Sequence, residues 1–465
     1  MEYSLPKIWM GRIQKYWDKF VPTDFPVSSS KFSVKFENEE VKEAVEAMEN
    51  SIGTEESPIA EIIPENSFVS EYIGTYDVDG TPGELTLLSP VKVNDDNIIA
   101  LHYNSENKTW NQIEDIQIID GYAWGVLESF SPIAIIKCRK EIHVEESIEN
   151  MPTKNFIICE GNPVTVTYKD GKSIVTNGAS GKSIEIDGEG YTLIGGTVDG
   201  TALESTSVTV LDQLSSKNIS KMIAGSLNCV STEPTTVNEV NLYIKHSAFS
   251  IVTGSMGAVR TNRVNFEILD STITYLGAGE GFTKYNKAPA SFASISWAKS
   301  INMYISNSKI FILYSCQNNE IFYADKSVVE IDNGSKIDYL LGGGSNDGAT
   351  DVFVKVAESE IGIYQTTNRG FVGSSSAKFI KSKVKNLFVG GDATDKSVTG
   401  KTGEITIEID AGDGEYNIVT GTEGGKLITA EDAERIVKYV KVSRNTTVTI
   451  SEELKAILGS KYIVK

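Results

Sequence analysis

Six short stretches share one pattern: a serine, any residue, then a bulky apolar residue opening a short strand. They are Ser247-Ala248-Phe249, Ser271-Thr272-Ile273, Ser308-Lys309-Ile310, Ser335-Lys336-Ile337, Ser359-Glu360-Ile361 and Ser382-Lys383-Val384. Each follows an alternating apolar/polar run, and the serines lie 24, 37, 27, 24 and 23 residues apart. A strand repeat of this length predicts a solenoid, because one unit alone cannot bury its apolar face and stacked units can. Counting outward from these six, strands are expected to start at Val164, Ile184, Val208, Val240, Val264, Ile301, Val328, Val352, Phe379 and Ile405. Second strands running into glycine (Gly195-Gly196, Gly254, Gly277-Ala278-Gly279, Gly342-Gly343-Gly344, Gly390-Gly391) fit sharp corners and close approach between units.

The flanks carry other patterns. Ile8, Trp9, Ile13, Trp17 and Phe20 recur at near-helical spacing. That face packs either on the chain's own next domain or on a larger body, and the five residues are the candidate anchoring set. A second helix is expected over Asn38–Glu49, with Val41, Ala44, Val45 and Met48 on one side. From Ser67 to Lys137 the period switches to two between turn clusters, which predicts a small β-sandwich. Near the C-terminus Thr429 is placed to cap a helix over Ala430–Tyr439, followed by a strand Thr446–Ile450 and a short helix Glu452–Leu458. The expected fold is mainly β: an N-terminal anchor segment (1–55), a sandwich spacer (56–140), a parallel β-helix-like solenoid (141–424) and a small α/β cap (425–465). A subunit contact is the alternative role for the last segment.

Composition narrows the function classes. The 465 residues hold 43 Lys+Arg against 63 Asp+Glu, a net charge of −20. Such a surface repels phosphate backbones and anionic lipid, so neither nucleic acid nor membrane insertion is expected. No basic start followed by an apolar run, and no stretch of about 20 apolar residues, is present. The four cysteines (Cys138, Cys159, Cys229, Cys316) form no C-x-x-C pair and are expected as buried thiols. The three histidines are scattered, so no metal and no cofactor is expected.

Parallel β-helices can carry polysaccharide-cleaving sites, which need carboxylates and a strong base on one face. The acidic residues near corners are Asp187, Asp199, Asp347, Asp351, Asp392, Asp395, Asp410 and Asp413; they fall at differing phases, and pairs such as Asp410 and Asp413 sit beside glycine, where Asp is a turn former. No catalytic residue is assigned. Gly171-Lys172-Ser173 and Gly181-Lys182-Ser183 end like phosphate loops, but Val166 and Thr176 stand where the first glycine belongs, so both read as hairpin turns. The candidate contact residues are aromatic: Phe282 and Tyr285 in the longest gap, and Tyr275, Tyr339 and Tyr364, four or five residues after a repeat serine. Packing inside the wall is the alternative for those three tyrosines.

Two resemblances rest on these residues. Leu101-His102-Tyr103, Trp110 and the later Glu128-Ser129-Phe130-Ser131-Pro132-Ile133-Ala134-Ile135 resemble a β-sandwich module of Gram-positive surface proteins, which implies a spacer without chemistry. The order of anchor, spacer, Gly/Ser-punctuated array and cap resembles a bacteriophage, or phage-tail-like, fibre or spike. That resemblance implies a structural, non-enzymatic virion protein assembled in the host cytoplasm. It implies a homotrimer whose partners are the capsid or tail proteins of its particle and a host surface glycan or protein. A secreted bacterial adhesin at the cell surface and a polysaccharide depolymerase are the competing readings.

Overall fold

A computed structural model describes residues 3–4, 30–33, 36–54, 56–93, 97–130, 132–149, 151, 153–229, 234–280, 297–316, 323–342, 349–366, 372–390, 403–410, 414–420 and 427–465. The protein is mainly β and divides into two compact units, Met1–Glu141 and Ile142–Lys465. The anchoring residues Ile8, Trp9, Ile13, Trp17 and Phe20 lie outside the described residues, as do the contact candidates Phe282 and Tyr285.

In the first unit, strands Tyr3–Ser4, Lys31–Ser33, Ser67–Asp79, Pro132–Lys140, Ile98–Asn104 and Thr109–Gln112 pair antiparallel in that order. A second antiparallel sheet orders Leu85–Leu87, Tyr122–Val126 and Gln117–Ile119. The run Ile133-Ala134-Ile135-Ile136 looks unbroken because the larger sheet is buried on both faces. Ile133 and Ile135 join the cluster with Leu85, Leu87 and Trp124 from the smaller sheet. Ala134 and Ile136 join a second cluster with Val41, Val45 and Met48. Those last three come from the helix Glu39–Ser51, where Asn38 caps the Glu40 amide at 2.9 Å and Glu39 and Glu40 sit in the first turn. The helix expected at 38–49 is therefore a structural half of this unit's second core.

The second unit is built by alternation. Strands Leu203–Leu211, Thr235–Lys245, Val259–Leu269, Trp297–Ser306, Tyr323–Asp332, Ala349–Ala357, Val372–Ile380 and Glu404–Asp410 lie side by side and parallel in what we call the front sheet. Between them in sequence, Ile219–Ile223, Ala248–Gly257, Thr272–Glu280, Lys309–Tyr314, Lys336–Leu341, Glu360–Gln365, Lys383–Phe388 and Glu415–Val419 do the same in the back sheet. Each repeat thus adds one strand to each sheet. One register column of the front sheet reads Val210, Ile244, Ile268, Ile305, Ile331, Val356, Phe379, Ile409, Val442. One of the back sheet reads Val252, Leu276, Leu313, Leu340, Tyr364, Leu387, Ile418, Ile450. All belong to a single hydrophobic cluster. Each such side chain, fully buried, contributes about 1.5–3 kcal/mol of transfer free energy.

The repeat serines occupy the turn from front to back sheet. The residue before the serine takes a left-handed backbone at His246, Asp270, Asn307, Glu358 and Lys381, with φ between 44° and 49°. The serine hydroxyl then works in two directions. Ser271 Oγ accepts from the Ser247 amide (3.1 Å), Ser308 Oγ from the Ser271 amide (3.0 Å) and Ser382 Oγ from the Ser359 amide (3.3 Å). The same oxygens donate to the carbonyls of Leu269 (2.6 Å), Ser306 (2.8 Å) and Ile380 (2.8 Å), two residues back. The next amide donates to the previous repeat's serine carbonyl, as Lys309 does to Ser271 (2.8 Å). These serines are buried, so a buried amide finds its acceptor only because a hydroxyl stands at that position.

Three expectations need correction. Strand Ser183–Ile186 does not start a repeat: Val164–Lys169, Lys172–Asn177 and Ser183–Ile186 form an antiparallel meander, turning at Asp170-Gly171 (φ 52° and 84°) and near Gly181. Both Gly-Lys-Ser segments are hairpin turns. Front strands begin earlier than the pattern predicted, at Thr235 rather than Val240 and at Val372 rather than Phe379. The helix after Thr429 ends at Ile436, because Val437–Val442 alternates as a strand and extends the front sheet. Helices Ala430–Ile436 and Glu452–Leu458 place Ala433, Ile436, Leu454 and Leu458 in the core cluster beside the final strand Tyr462–Val464.

Replacing Ser308 (1% exposed) by alanine strands the Ser271 amide and is expected to lower unfolding free energy by about 1–3 kcal/mol. Lys309→Ala, one residue on and exposed, should shift it by less than about 0.5 kcal/mol. Urea unfolding followed by circular dichroism measures both; equal effects would remove the ladder from the account.

Candidate functional site

The back strands do not alternate strictly. In Lys309–Tyr314, Lys336–Leu341 and Lys383–Phe388 the exposure runs exposed, buried, exposed, half-buried, buried, buried. Two consecutive residues, three and four after the serine, thus face outward, and the fifth faces in. A bulge-like step of this kind shifts every later side chain to the other face.

That step sorts the three candidate tyrosines. Tyr275 and Tyr339 stand four after their serines and project outward, half-buried. Tyr364 stands five after Ser359 and is fully buried, in register with Leu340 and with its ring 5.2 Å from Phe379 at 75°. It is a core residue, so its assignment as a contact residue is withdrawn. Burial pushes its phenol up to about 12.

The outward fourth positions form one column: Ile251, Tyr275, Ile312, Tyr339 and Ile363. Five strands at about 4.8 Å make it roughly 20 Å long. Phe311, at the third position of its strand and 43% exposed, bridges the two tyrosines. Its ring lies 6.3 Å from Tyr275 at 89° and 5.5 Å from Tyr339 at 74°, both edge-to-face. Lys309 and Lys336 rim the stripe in the exposed column next to it. Sequence reasoning missed Phe311 because its offset from the serine differs by one from that of the tyrosines. Its exposure follows only from the step.

Three of the corner aspartates have hydrogen-bond partners. Asp199 Oδ1 accepts from the Thr201 amide at 3.0 Å, Asp351 from Ser374 Oγ at 2.6 Å and Asp410 from Ser443 Oγ at 2.8 Å, so each serves a turn or a strand-to-strand bond. Asp347, Asp392, Asp395 and Asp413 lie outside the described residues. Among the described residues no three His, Cys, Asp or Glu side chains gather where a metal ion could bind. His102 is half-buried, and desolvation lowers its imidazole below the usual range. All four cysteines are buried thiols, and burial raises those of Cys138 and Cys229 to about 11 and that of Cys159 further.

No protein-family model, curated protein or solved structure matches the chain.

Two outcomes follow from these placements. Tyr364→Ala should cost about 3–5 kcal/mol by opening a core cavity, whereas Phe311→Ala should stay within about 0.5–1 kcal/mol of the parent; denaturant midpoints compare them. The four thiols should resist iodoacetamide at pH 8 in the folded protein and all react in urea, read by intact mass, since only the exposed thiolate is the nucleophile.

Proposed function

We propose that residues 142–465 form a β-solenoid and that the protein is a non-enzymatic structural fibre of a phage or phage-tail-like particle. On this reading residues 1–55 attach it to capsid or tail, and the outer face of the stacked strands contacts the host surface in a homotrimer. The observation that carries the reading is the regular addition of one strand per repeat to each of two parallel sheets over one unbroken core. Such stacking holds an extended face in place without a folded-in pocket. The stripe Ile251–Tyr275–Ile312–Tyr339–Ile363, with Phe311, supplies an aromatic contact surface on it. Rigid aromatics carry much of the binding energy where they occur at interfaces.

The test uses the full chain, fluorescently labelled, on a panel of Gram-positive cells. The triple variant Tyr275→Ala/Phe311→Ala/Tyr339→Ala should lose cell binding while keeping its circular dichroism and its sedimentation coefficient. A chain lacking residues 1–29, which leaves the strand Lys31–Ser33 and the helix Glu39–Ser51 in place, should keep cell binding but fail to co-sediment with particles. Equal cell binding by parent and triple variant would overturn the reading. So would dissociation of an oligomer by the triple change, which would assign the stripe to subunit contact. Release of reducing ends from wall or capsular glycan would replace it with a depolymerase.

A further inference from the structure

The front sheet carries a second outward surface, chemically unlike the stripe. Asn241, Asn265 and Asn302 share one register position on three adjacent strands. Asn265 Nδ2 donates to Asn241 Oδ1 at 2.9 Å, and Asn302 Nδ2 donates to Asn265 Oδ1 at 3.0 Å. Two residues further along the same strands, Tyr243, Glu267 and Tyr304 share the next outward position. These two rows line a groove of ≈ 550 Å³.

Glu267 is the distinctive member. The groove's other carboxylate, Glu330, is neutralised by Lys355 at 3.2 Å, and the nearby Glu239 by Arg263 at 3.2 Å. Glu267 is exposed, and no ion pair or hydrogen bond engages it among the described residues. It stands one strand from a tyrosine on either side, so the strands that carry the two tyrosines run about 4.8 Å from its own and roughly 10 Å apart. An ammonium group paired with Glu267 would lie in the same groove as both aromatic side chains, whose ring faces attract a cation that comes within ~6 Å. Tyr304 is steadied by its hydroxyl, which donates to Asp332 Oδ2 at 3.1 Å. Among the described residues no lysine or arginine lines the groove, so an anionic ligand meets no positive charge there.

We infer that this groove binds an extended oligosaccharide bearing an unacetylated amino sugar. The ammonium sits between the tyrosines on Glu267. The hydroxyls of neighbouring sugars meet the ends of the amide row, and the rings offer their faces to the sugar's C–H surface. The strand spacing, close to the rise of one pyranose in an extended chain, lets successive sugars meet successive strands. The site is independent of the back-sheet stripe.

Titration calorimetry of the full chain tests it with three probes: a β-1,4-linked glucosamine hexamer, its fully N-acetylated counterpart and a galacturonate hexamer. The glucosamine hexamer should bind, the acetylated one about tenfold more weakly, and the galacturonate not at all. Glu267→Gln should abolish the preference for the amine, and Tyr304→Ala should weaken both neutral and cationic hexamers about tenfold. Both positions are exposed, and unchanged unfolding midpoints will show the variants folded. No binding of the glucosamine hexamer, equal binding of the acetylated one, or an unaltered Glu267→Gln profile would overturn the inference. So would equal competition by hexalysine, which would make the site one for positive charge alone. Cell binding through the stripe is left intact by these variants, so the two surfaces can fail separately.

Discussion

The second unit depends on how a buried turn satisfies its backbone. Passing from front to back sheet forces one residue into a left-handed conformation and leaves the next amide facing the neighbouring repeat rather than solvent. A serine there supplies an acceptor to the repeat before it and a donor to its own chain, so the hydroxyls form a row parallel to the core columns. Alanine would leave the amide unsatisfied, at a cost comparable to burying a methylene group or two. Where the row begins, Gln213 takes the place of serine: its amide donates to Ser247 Oγ at 3.1 Å, and its side-chain nitrogen reaches Ser173 Oγ at 2.8 Å. At Ser335 the turn is one residue longer, through Asn333 and Gly334 (φ 55° and 77°), and the Ser335 amide turns to the Asp332 carbonyl at 3.2 Å.

Cross-strand ion pairs on the front face, such as Lys355–Glu330 and Lys438–Glu404, are exposed and contribute little to stability. Their value lies in register. A slip of one residue would expose the columns of Ile and Val and separate these pairs together.

Much of this was legible before any coordinates. The serine spacing marked the repeat, the alternation marked the front strands, and Asn38 and Thr429 marked two helix starts. What failed did so for local physical reasons. The outward step in each back strand broke period two, which moved Tyr364 into the core and hid Phe311. The meander from Val164 to Ile186 repeats the residue types of a parallel strand, and pairing direction is not written in alternation. At Val437 an alternating run outweighed the helical one it followed, because an open sheet edge was there to receive it. The asparagine row was the hardest to see: Asn241 and Asn265 are 24 residues apart, while Asn265 and Asn302 are 37 apart, so no fixed period joins them.

That unequal spacing has a consequence of its own. Val264 and Ile301 pair as squarely as Val240 and Val264 do, although the chain between the first two is thirteen residues longer. In sequence the extra residues fall between Glu280, the last residue of one back strand, and Trp297, the first of the next front strand. Lengthening the chain there disturbs no hydroxyl row and no column. Insertions can therefore accumulate along one margin of the protein while its frame stays fixed, so the margin can diversify quickly and the frame only slowly.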